Sequence, residues 1–261
     1  MAKLSVIFPV GRITELTVPS LESILNQTFS DFLIFIVDNT KGWELRELLR
    51  PYLGKKVVYL TCKREFGAAV ARNYALDYVQ SEFIAIHDSD DFSLPNHFQT
   101  AVKTLSETKA DVYCCGYKNR LLNGLEFNRI PAKNIDLFNL LTCNPIGHST
   151  VLMRASIKPR YETTKRRHDL RLWLTLYAKG TKFVTNDDVM VIRNIIPGSL
   201  SEKKLRLVWD HYVINRKLMK FSVSKSIVFL SILCFRHLIM RLHFQFMKFK
   251  RFLARLRNSL P

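Results

Sequence analysis

The chain has 261 residues, of which 48% are hydrophobic and 24% charged, and it carries a formal charge of +18. That length and apolar content support a core of domain size and exclude a disordered chain. Five cysteines (Cys62, Cys114, Cys115, Cys143, Cys234) in no metal-binding spacing exclude a disulfide-stapled miniature scaffold, and a reducing, cytosolic setting is expected. From Lys203 to Pro261 there are 14 Lys and Arg against one acid, Asp210, so the tail holds +13 of the +18. The apolar run Ile227–Phe235 stops at Arg236, short of the ~20 residues a spanning helix needs. The start, "MAKLSVIFPV", reads as a strand and is too short for a secretory leader.

In chain order, "LSVIFPV" is a buried strand, and "LESILNQTF" has Leu21, Ile24 and Leu25 at helical spacing. "FLIFIVDNT" is a second strand ending at Asp38. "WELRELLRPYL" is a helix closed by Pro51, and "KVVYL" a third strand. "GAAVARNYALDYV" predicts a helix with Val70, Ala71, Tyr74 and Tyr78 on one face. "FIAIHDSDD" is a fourth strand with an acidic end, followed by the helix "HFQTAVKTL" and the strand "DVYCCGYKN". Further on, a strand is expected around Ser149 to Met153, a helix over "RRHDLRLWLTLYAKG" closed by Gly180, and short strands in "KFVTNDDVMVIRN". Trp173 and Trp209 read as packing residues, and "NIIPGSLSEKK" as a linker or loop. Strands alternating with helices over the first ~120 residues predict an α/β fold with a mostly parallel central sheet and flanking helices. In such folds ligands bind beyond the carboxyl ends of strands, where Pro9 and Val10, Asp38 and Asn39, and Asp88 to Asp91 stand.

Asp88, Asp90 and Asp91 crowd one strand end, beside His87. One reading is a cap, Asp91 or Ser93 starting a helix near Leu94. The other is a hard cation such as Mg²⁺ or Mn²⁺, which takes oxygen ligands and leaves room for phosphate oxygens. Arg72 is either a surface ion-pair residue or a phosphate contact. Asp169 is either the cap of a helix beginning at Leu170 or a reacting carboxylate.

In order and spacing, "LSVIFPV", "SILNQTFSDFLIFIVDNT", "FGAAVARNYAL", "FIAIHDSDDFSLPNHF", "KRRHDLRLWLTLYAKG" and "VIRNIIPGSLS" resemble the family 2 glycosyltransferases of the GT-A fold, of bacterial surface-polysaccharide type, over roughly residues 3 to 202. The resemblance implies a Rossmann-like GT-A domain over residues 1–202 that moves a sugar from a nucleotide-sugar, with an Mn²⁺ or Mg²⁺ cofactor at a DXD motif. It implies that Pro9, Val10 and Asp38 line the base pocket, that Arg72 lies near base or phosphates, and that Asp88 contacts ribose or sugar. Asp90 would bind the metal, Asp91 would support it, and Asp169 would be the general base of an inverting displacement. Three positions depart from the family pattern: Asn39 where a second Asp is common, Ile195 where many relatives carry a His, and His168 where a Glu usually precedes the Asp. His168 and His148 are candidate acceptor contacts, and His148 is equally a structural histidine.

Residues 203–261 form the second expected region. Phe235, Leu238, Ile239, Leu242, Phe246, Phe249, Leu253 and Leu256 fall on one helical face, with Arg236, Arg241, Lys248, Arg251 and Arg255 on the other side. Such a basic amphipathic helix suits an anionic membrane surface, with docking on protein as the alternative. Nucleic acid ranks third, because no recognition motif accompanies the charge. Together these readings predict transfer of galactose or glucose from a UDP-sugar to a lipid-diphosphate-linked saccharide in O-antigen, capsule or other polysaccharide synthesis. The enzyme would be cytoplasmic and peripheral on the inner face of the cell membrane. The rivals are a non-catalytic membrane or nucleic-acid adaptor with a glycosyltransferase-like fold, and nucleotidyl transfer, against which the "HDLRLWL" segment and the lack of a Gly-rich phosphate loop count.

Overall fold

Continuous apolar runs, buried on both faces, and amphipathic stretches at period 3.6 sort this chain into one sheet and the helices packed on it. The computed structural model describes residues 2–54, 56–63, 65–122, 124–163, 166–195 and 204–258, with the backbone alone at 204–206, 240, 241 and 243–258. In chain order the elements are β1 (Leu4–Val10), α1 (Thr17–Leu25), β2 (Phe32–Asp38), α2 (Glu44–Leu49), β3 (Val57–Thr61), α3 (Ala68–Leu76), β4 (Phe83–Ile86) and β5 (Asp91–Ser93). Then come α4 (His97–Glu107), β6 (Val112–Leu121), β7 (Glu126–Arg129), α5 (Leu137–Cys143), β8 (Leu152–Arg154), α6 (His168–Ala178), β9 (Phe183–Ile195), α7 (Lys204–Val213) and α8 (Val223–Asn258).

The nine-stranded sheet has the order β3-β2-β1-β4-β8-β6-β9-β5, with β7 paired to β6. Strands β3, β2, β1 and β4 are parallel, as the alternation predicts. Beyond them the sheet is mixed: β8 runs antiparallel to β4 and β6, β9 parallel to β6, and β5 antiparallel to β9. Chain order reverses between β1 and β4, which makes the carboxyl ends of those two strands the switch-point crevice. Pairing of β1 with β4 ends at Ile7 and Ile86, so Pro9 lies past the ladder and its missing N–H breaks no strand pairing on that side. Phe8, Ile34, Ile36, Phe83, Phe98 and Tyr113 are all buried in the core beneath.

Several local expectations give way to long-range pairing. Asp91 and Ser93 cap no helix: they form β5, whose residues Asp91, Phe92 and Ser93 pair with Arg193, Ile192 and Val191, while α4 begins only at His97. The strand expected from Ser149 is a 3-10 turn at His148–Thr150 followed by β8. Asp169 is not a cap either; α6 starts at His168 behind Arg167, whose φ is +59°, and places Asp169 in its first turn. On α3 the buried face is Ala69, Ala71, Arg72, Ala75 and Leu76, with Tyr78 outside, so a charged residue occupies the core side. Trp173 is fully buried as expected, whereas Trp209 is exposed.

The short strands expected after Lys182 are one 13-residue strand, β9. Its register on β6 shifts around Gly116, where Cys115 pairs Asn186, Gly116 pairs Val189 and Tyr117 pairs Val191. The Asn186 side chain accepts from the Asp188 N–H at 2.7 Å and holds this bulge. A side chain at Gly116 would crowd the bulge: its Cβ would stand 3.0 Å from the Asp188 carbonyl and 2.8 Å from Ile130 Cδ1.

The chain divides into two units, one of Met1–Leu140 with Asn144–Glu202 and the other of Leu141–Cys143 with Lys203–Pro261. The second unit contains α7, a π-helical turn at Ile214–Leu218, and α8, which is one continuous helix through Asn258. No helix among the described residues is long and apolar enough to cross a membrane. The expected loop from Ile196 to Lys203 lies outside the described residues. All five cysteines are free thiols.

Gly116→Ala is expected to lower stability by about 1–3 kcal/mol through this overpacking. A shift of the urea midpoint at constant slope measures it; an unchanged midpoint would contradict the bulge geometry.

Candidate active site

The acidic stretch is a strand end, a tight turn and a new strand. The Asp91 N–H donates to the Asp88 carbonyl at 3.1 Å, which closes the turn, and the Asn194 amide donates to the Asp90 carbonyl at 2.6 Å. The three carboxylates then meet three different environments. Arg72, pointing inward from α3, donates from Nη2 to Asp88 Oδ1 at 2.5 Å and lies 5.5 Å from the centre of the Tyr161 ring. His148 Nδ1 is 3.6 Å from Asp88 Oδ2, an ionic contact longer than a hydrogen bond, and its Nε2 is 2.8 Å from the Tyr161 hydroxyl. Ser149 donates to Asp91 Oδ2 at 2.6 Å and accepts from the Asp88 N–H at 3.0 Å. No side chain among the described residues donates to the Asp90 carboxylate, which Arg12 and Arg193 face electrostatically.

These surroundings separate the acids by charge state. Burial opposes ionisation of Asp88, but the Arg72 guanidinium and then His148 hold its pKa well below the ordinary range. Burial, Asp88 and Asp90 push Asp91 well above it, against Arg193 and the Ser149 hydroxyl. Burial and Asp88 push Asp90 up to about 6, against Arg193 and Arg12. His148 is lowered by burial and by Arg72.

His87, beneath the turn, is a structural pin. It is buried, stacks on Phe8 with ring centroids 6.2 Å apart, and its Nε2 faces the Asp91 carbonyl at 3.0 Å. Ser93 Oγ lies 3.3 Å from His87 Nδ1 and 3.0 Å from His97 Nδ1, and His97 Nε2 faces the Thr150 carbonyl. A carbonyl only accepts, so both imidazoles donate from Nε2, and one serine proton serves two Nδ1 atoms. Burial lowers His87 to about 4 and His97 to about 3.

At the end of β2, Asp38 is buried and already engaged. Its Oδ1 accepts from Thr40 N, Thr40 Oγ1 and Lys63 Nζ, and its Oδ2 from Tyr59. Burial opposes its charge, yet these bonds, Lys63 foremost, lower its pKa. Asn39 does what an aspartate cannot: its amide donates to the carbonyls of Cys62 and Glu65 while its Oδ1 accepts from Gly67 N. Val10 lies beside them, its carbonyl accepting from Asn39 N at 2.9 Å.

Asp169 stands on α6 and shares this electrostatic neighbourhood. Burial raises its pKa, but Arg167, His148, the Leu170 N–H and the Asn144 amide outweigh that and lower it. His168, beside it, points its Nδ1 at the Glu162 carbonyl at 3.0 Å and is partly exposed. His148 also packs edge-on against Trp173, one helical turn after Asp169. The fold therefore brings Arg72, Asp88, Asp90, Asp91 and His148 together, with Asp169 within electrostatic reach of Arg72 and His148. Pro9, Val10 and Asp38 lie along the same rim, and Ile195 ends β9 without a metal-ligating atom.

Sequence reasoning missed Ser149, Tyr161, Arg193, Lys63, Asn73 and Asn144. Asn73, next to Arg72, bonds the Tyr161 backbone in both directions, at 2.8 and 2.9 Å. Only Asn73 had a local signal, its place in "ARN"; the others arrive by contacts across 25 to 88 residues or by strand pairing. As a metal site, the cluster offers one uncommitted carboxylate, Asp90. No group of three or more acid, His or Cys ligands stands assembled among the described residues. That donor set fits a hard cation shared with diphosphate oxygens, not a closed protein cage.

Sheet order and an acidic switch point backed by the Arg72–Asp88 pair define an α/β scaffold with its site at the strand ends. The profile of Glycosyl transferase family 2 matches residues 5–175, and the chain belongs to that family. It is 25% identical over 211 residues to the Escherichia coli UDP-Glc:alpha-D-GlcNAc-diphosphoundecaprenol beta-1,3-glucosyltransferase WfgD, covering 79% of this chain and 83% of that protein. It is 22% identical over 228 residues to the putative teichuronic acid biosynthesis glycosyltransferase TuaG of Bacillus subtilis, covering 85% and 90%. Its fold matches residues 1–349 of S. aureus TarS in complex with UDP-GlcNAc with a TM-score of 0.66, at 17% identity over 90% of this chain and 72% of that one. The GT-A fold expected from the sequence is thus the observed one.

Because His97 is neutral in the fold and protonates near 6.5 when unfolded, folding stability is lost as pH falls from 6.5 toward about 3. His97→Gln removes that contribution, so wild type should fall more steeply than the variant by roughly 1.4 kcal/mol per pH unit. Denaturation midpoints across this range measure it, and parallel curves would contradict a buried neutral His97.

Proposed function

We propose that this transferase moves a hexose, galactose or glucose, from a uridine diphosphate sugar to a lipid-diphosphate-linked saccharide with inversion at the anomeric carbon. One observation carries the reading: the rim keeps Asp90 free of side-chain donors among the described residues while holding Asp169 ionised on the facing helix. The activity for which WfgD is named and the UDP-GlcNAc complex of TarS support the donor and acceptor classes. A mannosyltransferase of the same fold, PcManGT from Pyrobaculum calidifontis, in complex with GDP-Man and Mn²⁺, supports the cation.

In this reading Pro9, Val10 and the Oδ2 side of Asp38 line the base site, and Arg72 and Asp88 the ribose and phosphate end. Asp90 would hold Mn²⁺ or Mg²⁺, with Asp91 as support. When bound, the metal offsets the charge gathering on the departing diphosphate. Asp169 takes the proton of the acceptor hydroxyl as its oxygen bonds to the anomeric carbon. The carbon–oxygen bond to the diphosphate breaks, and its electron pair leaves with the nucleoside diphosphate. One displacement inverts the configuration. A lowered pKa keeps Asp169 in the basic form at neutral pH. His148 and His168 are the candidate acceptor contacts in this reading.

Residues 1–202 are the catalytic domain in this account, and 203–261 the membrane-associating region. On α8, Phe235, Leu238, Ile239 and Leu242 are 49–62% exposed along one stripe. Arg236 is partly committed, donating to Thr142 Oγ1. The side chains of Arg241, Phe246, Lys248, Phe249 and Arg251 lie outside the described residues; their sequence positions add charge and aromatic area to the same helix. Such a helix rests in the interface of an anionic inner leaflet, at the cytoplasmic face where O-antigen, capsule or another surface polysaccharide grows on lipid.

Asp90→Ala should lose transfer and the Mn²⁺-dependent part of UDP binding by calorimetry. Asp169→Asn should keep donor binding and lose turnover by on the order of 10²–10⁴-fold. Normal turnover by either folded variant would reject that residue's role. Replacing Arg241, Lys248 and Arg251 with Glu should release the protein from anionic vesicles in a sedimentation assay, and unchanged binding would reject the electrostatic anchor.

A further inference from the structure

Asn144 ends α5 in the left-handed region, with φ +40° and ψ +75°, and its N–H closes the helix on Asn139 and Leu140 carbonyls. Asparagine is one of the few side-chain-bearing residues that adopt this conformation readily. Pro145 follows, which limits the backbone of Asn144 further. The helix is itself anchored at its start, where Asp136 accepts from Asn139 N at 2.7 Å. The consequence is a carboxamide held by the main chain, with Nδ2 donating to Asp169 Oδ2 at 2.9 Å. Its Oδ1 is buried and has no hydrogen-bond partner among the described residues. A carboxamide with one end spent on a single carboxylate oxygen and the other unmatched is a poor structural cross-link. It is well suited to fixing which oxygen of Asp169 remains available.

We propose that Asn144 is a positioning residue for transfer: it occupies Asp169 Oδ2 and leaves Oδ1 as the oxygen that receives the acceptor proton. The inference rests on the reading of Asp169 as the base. Glycine at this position separates the two things Asn144 does, since it keeps the left-handed turn and deletes the amide.

Removing the Asn144 side-chain amide removes one bond that favours the charged form, so the Asp169 pKa rises. A base must be deprotonated to act, so the acidic limb of kcat moves to higher pH. Arg167, His168, His148, Arg72, Tyr161 and Arg193 also face Asp169 and are the same in both proteins.

The test compares the full chain with Asn144→Gly and Asp169→Asn, using UDP-glucose and a synthetic lipid-diphosphate GlcNAc as probes. Three readouts are followed: kcat against pH, KM for the nucleotide-sugar, and the ¹³C carboxyl titration of Asp169. Asn144→Gly is expected to lower kcat at neutral pH by on the order of tenfold, as loss of a hydrogen bond to a charged group implies. It should raise both the kinetic limb and the carboxyl midpoint, and leave donor KM and melting temperature unchanged. An unchanged carboxyl midpoint with wild-type kcat would overturn the proposal and leave Asn144 as a turn residue. A raised midpoint together with full turnover by Asp169→Asn would overturn the base reading instead, with the hydrogen bond intact.

Discussion

Arg72 enters the core on the inner face of α3 and must meet a negative charge there. Its side chain is 7% exposed and that of Asp88 30%, so the pair has limited water to fall back on. Removing one member of such a pair strands the other, a cost of about 3–5 kcal/mol. The pair fixes the end of β4 against α3, and through Asp88 it fixes the turn that presents Asp90. Tyr161 covers the guanidinium, and Asn73, the neighbour of Arg72, holds the Tyr161 backbone. His148 bridges Tyr161 and Asp88, so an α3 residue, a strand end and two later loops close on one charge.

That closure explains why three carboxylates can stand within four residues. They do not share one environment: Asp88 faces the Arg72 guanidinium, Asp91 is buried beside Ser149 and pairs with Arg193, and Asp90 is half-buried with no side-chain donor among the described residues. The repulsion that an even reading of the sequence suggests is met by assigning different protonation preferences to each. A divalent cation beside Asp90 would relieve the remainder. The turn itself is held by two buried, neutral histidines that share one serine.

Much of this was legible in the sequence, for a physical reason. Parallel strands buried on both faces must be apolar runs, and polar residues at their ends must then gather on one rim, so β1, β2, β4 and their acids could be placed without coordinates. What remained hidden was set by partners far along the chain. Asp91–Ser93 is a strand only because β9 arrives beside it a hundred residues later. Arg72 reads as a surface residue until Asp88 supplies its counter-charge. The bulge of β9 interrupts alternation at Asp187 and Asp188, so one strand reads as several. Asn144 gives no periodic signal, because its importance lies in a backbone conformation and a contact made 25 residues away. His87 reads as a strand terminator and proves to be the floor beneath the acids.

The account turns on a single displacement at the switch point, driven from Asp169 toward a donor held at Asp90. Its most direct test offers a panel of nucleotide-sugars, a lipid-diphosphate saccharide and Mn²⁺ to the full chain, and reads the product by mass and by anomeric coupling constants. The account predicts one added hexose, from a uridine diphosphate donor, with the anomeric configuration inverted and no product when the cation is chelated. Transfer with retained configuration, or transfer indifferent to chelation, would contradict it.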